Sequence, residues 1–154
     1  SAHLVAQLAL HRGCEVYVAT RSASHRRMAE EVGAAWTGDA GDVPPVPLDG
    51  AIVFAPAGEV VPPALRALDK GGTLAVAGIH MSDIPPLNYD LCLFQEKTLT
   101  SVTSNTRTDG EELLREAADI PIRPWVTTFA LRDANDALLT LANDGLRGTA
   151  VLVP

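Results

Sequence analysis

The chain has 154 residues, 47% of them hydrophobic and only 5% aromatic, with a formal net charge of -7. That length gives one domain, or one domain with an appendage. The acidic balance argues against nucleic acid or an anionic membrane as a partner, and no apolar run approaches the roughly 18 residues of a membrane span. Two cysteines without a Cys-x-x-Cys pair are too few for a disulfide framework, so a cytoplasmic protein is the default expectation. With few aromatics the core must be Ala, Val, Leu and Ile, which suits a parallel sheet covered on both faces.

Ser1 follows neither an initiator Met nor a signal-peptide pattern and leads straight into a helical stripe of Leu4, Val5, Leu8 and Ala9; the chain is therefore expected to be part of a longer protein. Gly13 closes that helix. The run 16–19 is apolar, rich in strand formers and too short for a buried helix. Ser22 or Ser24 is a candidate N-cap for a helix reaching Val32, with Gly33 as its stop. A short strand is expected at 34–37, then a Gly/Asp/Pro-rich loop over 38–47.

Residues 49–55 read as a second buried strand. A helix over 60–68 tolerates Pro62 and Pro63 only in its first turn, and Lys70-Gly71-Gly72 stops it. Residues 73–79 form the clearest central strand, so 52–79 reads as a right-handed strand–helix–strand crossover. Strands follow at 98–102, 126–131 and 149–153. A helix opens at Asp109 or Gly110, and another is capped by Asp133 and ended by Asn143-Asp144-Gly145. Both cysteines, Cys14 and Cys92, are expected as small buried hydrophobes.

The end of the first strand carries the most chemistry. In a nucleotide-binding βαβ unit the end of the second strand meets the adenosine ribose, where an acidic residue favours NAD and a nearby Arg accommodates the 2′-phosphate of NADP. Here Thr20 is neutral, Arg21 and Ser22 follow, and Arg26 and Arg27 come one turn later. The pattern points to NADP rather than NAD; it equally suits an ordinary strand end with solvated arginines. His3, His11, His25 and His80 sit in separate elements and neither Cys has a partner at ligand spacing, so no zinc site is expected in this chain.

Several stretches together resemble the coenzyme-binding part of the medium-chain, zinc-dependent alcohol dehydrogenases. Ala2-His3-Leu4-Val5-Ala6-Gln7 is similar to the segment just after that family's glycine-rich loop, with Ala2 where its third glycine usually stands. Ala35-Trp36-Thr37-Gly38-Asp39 is similar to its short third strand, and Leu68-Asp69-Lys70-Gly71-Gly72-Thr73-Leu74 to the turn before its fifth. Asp133-Ala134-Asn135-Asp136-Ala137-Leu138 and Gly148-Thr149-Ala150-Val151-Leu152-Val153 are similar to its closing helix and strand. One departure is Thr149, where the family usually has Arg after the glycine; Arg147 is a displaced candidate.

The resemblance implies an α/β, Rossmann-like doubly wound parallel sheet lacking its first strand and glycine-rich loop, plus a C-terminal helix–strand segment. Residues 1–104 would form the incomplete dinucleotide-binding domain, and 105–154 would pack on a catalytic domain that this chain lacks. It implies alcohol oxidation by hydride transfer to NADP, NAD being less favoured, with zinc in the intact enzyme only. Thr20, Arg21, Ser22 and Arg26 would surround the 2′-phosphate, and Ala55 and Pro56 would border the adenosine ribose. Ala77, Gly78 and Ile79 would flank the nicotinamide, Val102, Thr103 and Ser104 would meet its carboxamide, and Arg107 is a weaker phosphate candidate. The alternatives are a zinc-independent enoyl or quinone reductase of the same superfamily, or a non-catalytic dinucleotide-binding module. The expected partners are a small alcohol or carbonyl substrate and a second subunit paired through Ile84-Pro85-Pro86-Leu87-Asn88, with neither nucleic acid nor membrane.

Overall fold

A computed structural model describes residues 1–143 and 145–154. Helix α1 (Ala2–His11) is followed by a reversal at Gly13, whose φ of 81° is costly for a residue with a Cβ. Strand β1 (Tyr17–Ala19) leads into α2 (Ala23–Val32), which ends on Gly33 in the left-handed conformation. Strand β2 (Trp36–Gly38) returns parallel to β1, with Tyr17 opposite Trp36.

A second sheet follows. Strand β3 (Leu48–Val53) is joined to β4 (Leu68–Val76) by a 3-10 turn at Gly58–Val60 and helix α3 (Val61–Ala67). Pro62 and Pro63 lie at the start of α3, where no intrahelical donor is lost. The short helix α4 (Tyr89–Cys92) precedes β5 (Thr98–Ser101), and the order β3-β4-β5 is parallel throughout. Its core is Val53, Val61, Leu65, Leu68, Leu74, Val76 and Cys92, aliphatic apart from the thiol, as the scarcity of aromatics requires. Burying each Leu contributes about 1.5–3 kcal/mol relative to leaving it exposed.

Among the described residues no ladder joins β1 to β3.

The C-terminal unit is helix α5 (Arg107–Asp119), β6 (Val126–Ala130), α6 (Ala134–Ala142) and β7 (Thr149–Val153), with β6 and β7 parallel across α6. Side chains remote in sequence tie it to the first two helices. Gln7 donates to the Arg123 carbonyl at 3.0 Å and accepts from the Arg123 N–H at 2.8 Å. Arg12 pairs with Glu116 at 2.5 Å, Arg147 pairs with Glu31, and a His25 ring nitrogen meets the Leu146 carbonyl at 3.1 Å.

Four local expectations differ. Lys70-Gly71-Gly72 lies inside β4, because α3 already ends when Leu68 turns extended, with a ψ of 145°. Helix α5 starts at Arg107, ahead of Asp109, since Thr106 and Asp109 form a reciprocal capping box. Asp133 precedes α6, but its side chain makes no cap hydrogen bond. Cys92 is buried as expected, whereas Cys14, just after the Gly13 reversal, is exposed. Of the expected stop after α6, Asp144 lies outside the described residues.

Candidate functional site

Parallel sheets aim every strand's carboxyl end the same way, and ligands of doubly wound folds bind there. The register sets Val53 opposite Val76 and Val76 opposite Ser101, so the residues following β3, β4 and β5 emerge side by side. Two hydrogen bonds carry the ladder past the strands: the Ala77 N–H donates to the Val53 carbonyl at 2.8 Å, and the Val102 N–H to the Val76 carbonyl at 2.9 Å. Gly78 lies against the preceding strand's exit; a Cβ there would stand 3.5 Å from the Ala55 carbonyl oxygen and 3.7 Å from the Pro56 Cα. Ala55, Pro56, Ala77, Gly78, Ile79, Val102, Thr103 and Ser104 are therefore gathered into one rim. It is apolar at Ile79, which is 79% exposed, and polar at Thr103 and Ser104.

The floor of this rim is fixed by a tight crossing. A Cβ on Gly58 would fall 2.1 Å from the Asp83 carbonyl oxygen, so only glycine fits. The Gly58 N–H donates to the Ser82 hydroxyl at 2.8 Å, latching the segment after β4 onto the turn after β3. A bond across 24 residues leaves no local signal of this latch in the sequence.

Thr20, Arg21, Ser22 and Arg26 form a second group, at the exit of β1 and the start of α2. The Thr20 N–H donates to the Gly38 carbonyl at 2.8 Å, the last bond of the β1-β2 ladder. Ser22 stands at the N-cap of α2 in extended conformation, its hydroxyl bonded to that of Ser24 at 2.8 Å and making no cap hydrogen bond. The first turn of α2 therefore keeps its orphan donors and positive dipole end for a ligand. The Arg21 side chain is exposed and has no partner among the described residues. The Arg26 guanidinium is folded back, donating through one nitrogen to the Thr20 carbonyl at 2.5 Å and the Arg21 carbonyl at 3.3 Å.

Among the described residues, no carboxylate is hydrogen-bonded or ion-paired to Thr20, Arg21 or Ser22. The nearest in the chain beyond Gly38 are Asp39 and Asp42. Asp42 accepts from the Asp39 N–H at 2.7 Å, and Asp39 from the Ala40 N–H at 2.7 Å, so each commits one oxygen to its own turn. The strand end thus presents a neutral Thr20, an Arg21 without a partner among the described residues and a helix start without a side-chain cap. Arg107 is the first residue of α5, apart from this group, and its helix start is closed by Thr106 and Asp109.

Among the described residues no group of three or more His, Cys, Asp or Glu is placed to hold a metal ion. The donor set does not fit a zinc centre. Two shallow grooves lie away from both groups. One of about 450 Å³ is lined by Pro44, Pro45, Leu68 and Lys97, and one of about 410 Å³ by Gln7, Glu31, Arg123 and Trp125. Neither holds a residue of the rim or of the strand end.

Residues 2–119 match the family described as zinc-binding dehydrogenase. The chain is 51% identical over 153 residues to a Mycobacterium tuberculosis protein named "Probable alcohol dehydrogenase AdhA", covering 99% of this chain and 44% of that protein. Its fold matches acetophenone reductase from Geotrichum candidum in complex with NAD, with a TM-score of 0.82, 19% identity and coverage of 97% of this chain and 44% of the other. It also matches Escherichia coli YhdH with bound NADPH, with a TM-score of 0.75, 17% identity and coverage of 97% and 50%. The chain thus spans about half the length of the proteins it matches. The two solved structures carry different cofactors.

Proposed function

The chain belongs to the zinc-binding dehydrogenase family and corresponds to the coenzyme-binding part of an alcohol dehydrogenase, and from that premise we propose that it holds NADP. The observation that carries this reading is the exit of β1: a neutral Thr20, an Arg21 without a partner among the described residues and a start of α2 without a side-chain cap, with Asp39 and Asp42 each hydrogen-bonded within their own turn. Arg21 and Ser22 meet the 2′-phosphate, the first by charge-assisted hydrogen bonds and the second beside the helix donors. Ala55 and Pro56 border the adenosine ribose. Ala77, Gly78 and Ile79 flank the nicotinamide, Ile79 excluding water from one face. Backbone groups of Val102, Thr103 and Ser104 meet the carboxamide, and Arg107 takes a weaker phosphate contact.

The bound cofactor supplies the hydride chemistry. What these residues do is hold it, orient its ring and keep water from it. No zinc role falls to any residue described here. The substrate is proposed to be a small alcohol or its carbonyl product. Residues 1–154 alone are proposed to be inactive, since no group of three or more His, Cys, Asp or Glu among the described residues is placed to hold a metal ion. The protein is proposed to act in the cytoplasm; among the described residues, no helix is long and apolar enough to cross a membrane.

A homodimer is also proposed. Strand β5 ends its sheet, and an exposed edge is normally covered or paired. Beside it, Ile84, Tyr89, Leu91 and Phe94 are all exposed.

The test is an assay at the relatives' length: oxidation of a panel of primary and secondary alcohols with NADP or NAD. Alcohol-dependent reduction of NADP, faster than of NAD, is the expected result. Reduction of enones or quinones with no alcohol oxidation would contradict it in favour of a zinc-independent reductase. Cofactor binding with no turnover of either kind would mark a non-catalytic module.

A further inference from the structure

We propose that Arg26 is a positioning residue for the 2′-phosphate subsite rather than a ligand in it: by holding the carbonyls of Thr20 and Arg21, it sets where Arg21 and Ser22 stand. The inference rests on the NADP reading above. Thr20 is the hinge of the arrangement. Its N–H is held by Gly38 on β2, and its carbonyl is held by Arg26 on α2 at 2.5 Å. One residue is thus clamped between a strand and a helix, and the chain direction leaving it is fixed.

The charges make the same point. Beyond the last ladder bond, the Thr20 and Arg21 carbonyls lack strand partners, and their negative ends would oppose an arriving phosphate. A guanidinium bridging both satisfies these acceptors and cancels that field. Arg26 is half-buried in doing so, while Arg21 and Arg27 are exposed. An arginine committed to two backbone oxygens is poorly placed to act as a mobile phosphate clamp, and Arg21, one residue beyond the hinge, is free to do so.

The experiment measures NADP and NAD affinity by calorimetry for the native protein, Arg21→Ala, Arg26→Met and the double variant. It also measures amide hydrogen exchange at Thr20. Arg26→Met keeps the apolar stem and removes the donors. It is expected to speed Thr20 exchange and to weaken NADP by about tenfold, as for loss of a charge-assisted bond, with little change for NAD. The double variant should bind NADP within about twofold of Arg21→Ala alone, since both changes remove one shared interaction. Arg26→Lys, which keeps a donor for the carbonyls, should restore Thr20 protection and NADP preference together.

Losses that multiply in the double variant while Thr20 exchange stays slow would overturn the proposal and make Arg26 a direct ligand. An NADP preference that survives Arg26→Met sinks this inference alone. A native protein that binds NADP no more tightly than NAD removes the 2′-phosphate reading, and this inference with it.

Discussion

The rings of His3 and Trp125 meet edge to face, with centroids 5.8 Å apart at 77°. Trp125 also carries Arg147 over its ring at 5.9 Å, and Arg147 pairs with Glu31 on α2. The His3 Nε2 is buried with no hydrogen-bond partner among the described residues. Burial holds the imidazole below its ordinary value of 6.5. The neutral ring is thus the form that fits beneath the C-terminal unit.

The sign of the pH effect follows. The unfolded chain protonates His3 near the ordinary value, and the folded chain only at lower pH. Stability from this site is therefore full above about 6.5 and falls as pH drops from there toward the lowered folded value. Urea titrations at pH 7.5 and pH 5.5 should show a smaller loss for His3→Gln than for the native chain. Equal losses would remove His3 from the account.

Gly148 should be intolerant of any side chain. Its φ is 92°, and an added Cβ would fall 2.3 Å from the Trp125 carbonyl oxygen, whose bond to the Thr149 N–H starts the β6-β7 ladder. Gly13 shares the left-handed conformation, with a φ of 81°, but a Cβ there meets nothing within 4 Å. Gly13→Ala is expected to cost about 1–2 kcal/mol from conformation alone, and Gly148→Ala distinctly more. Denaturant midpoints measure both, and equal costs would contradict the close approach.

The core around β4 should respond steeply. Leu65 and Leu74 are both 0% exposed, whereas Leu138 on α6 is 62% exposed. Truncating either buried leucine to Ala is expected to cost about 2–5 kcal/mol, while Leu138→Ala stays within about 0.5 kcal/mol. Urea denaturation checks the order, which a costly Leu138→Ala would reverse.

Association is tested by light scattering at micromolar concentration. The native chain is expected above its monomer mass of 16.2 kDa, and Ile84→Asp should lower the mass. Ile84 is 39% exposed, whereas Leu87 packs against the core, so a change at Leu87 would confuse association with folding. A native monomer would contradict the dimer.

How much of this the sequence disclosed depends on how far apart the interacting residues stand. The stripe from Leu4 to Ala9 and the Gly13 break marked α1 to the residue, and Val151, Leu152 and Val153 marked β7, because both signals are local. The parallel pairing was legible as well, since apolar runs at 49–55 and 73–79 separated by one helix leave few alternatives. The Thr106–Asp109 capping box is a local signal too, and it starts α5 at Arg107, ahead of the expected Asp109 or Gly110. The Arg26 anchor needed the turn into α2 to bring a side chain back over its own strand end. The Gln7 clamp on Arg123 spans 116 residues, and no pattern in either segment announces it.

The central claim is the 2′-phosphate contact of Arg21, and cofactor competition tests it most directly. NADP and NAD affinities, measured by titration for the native protein and for Arg21→Ala, should differ in one term only. The account predicts that Arg21→Ala loses about 1–3 kcal/mol of NADP binding, as for a charge-assisted hydrogen bond, and leaves NAD unchanged. An equal loss for both cofactors, or none for either, would contradict it.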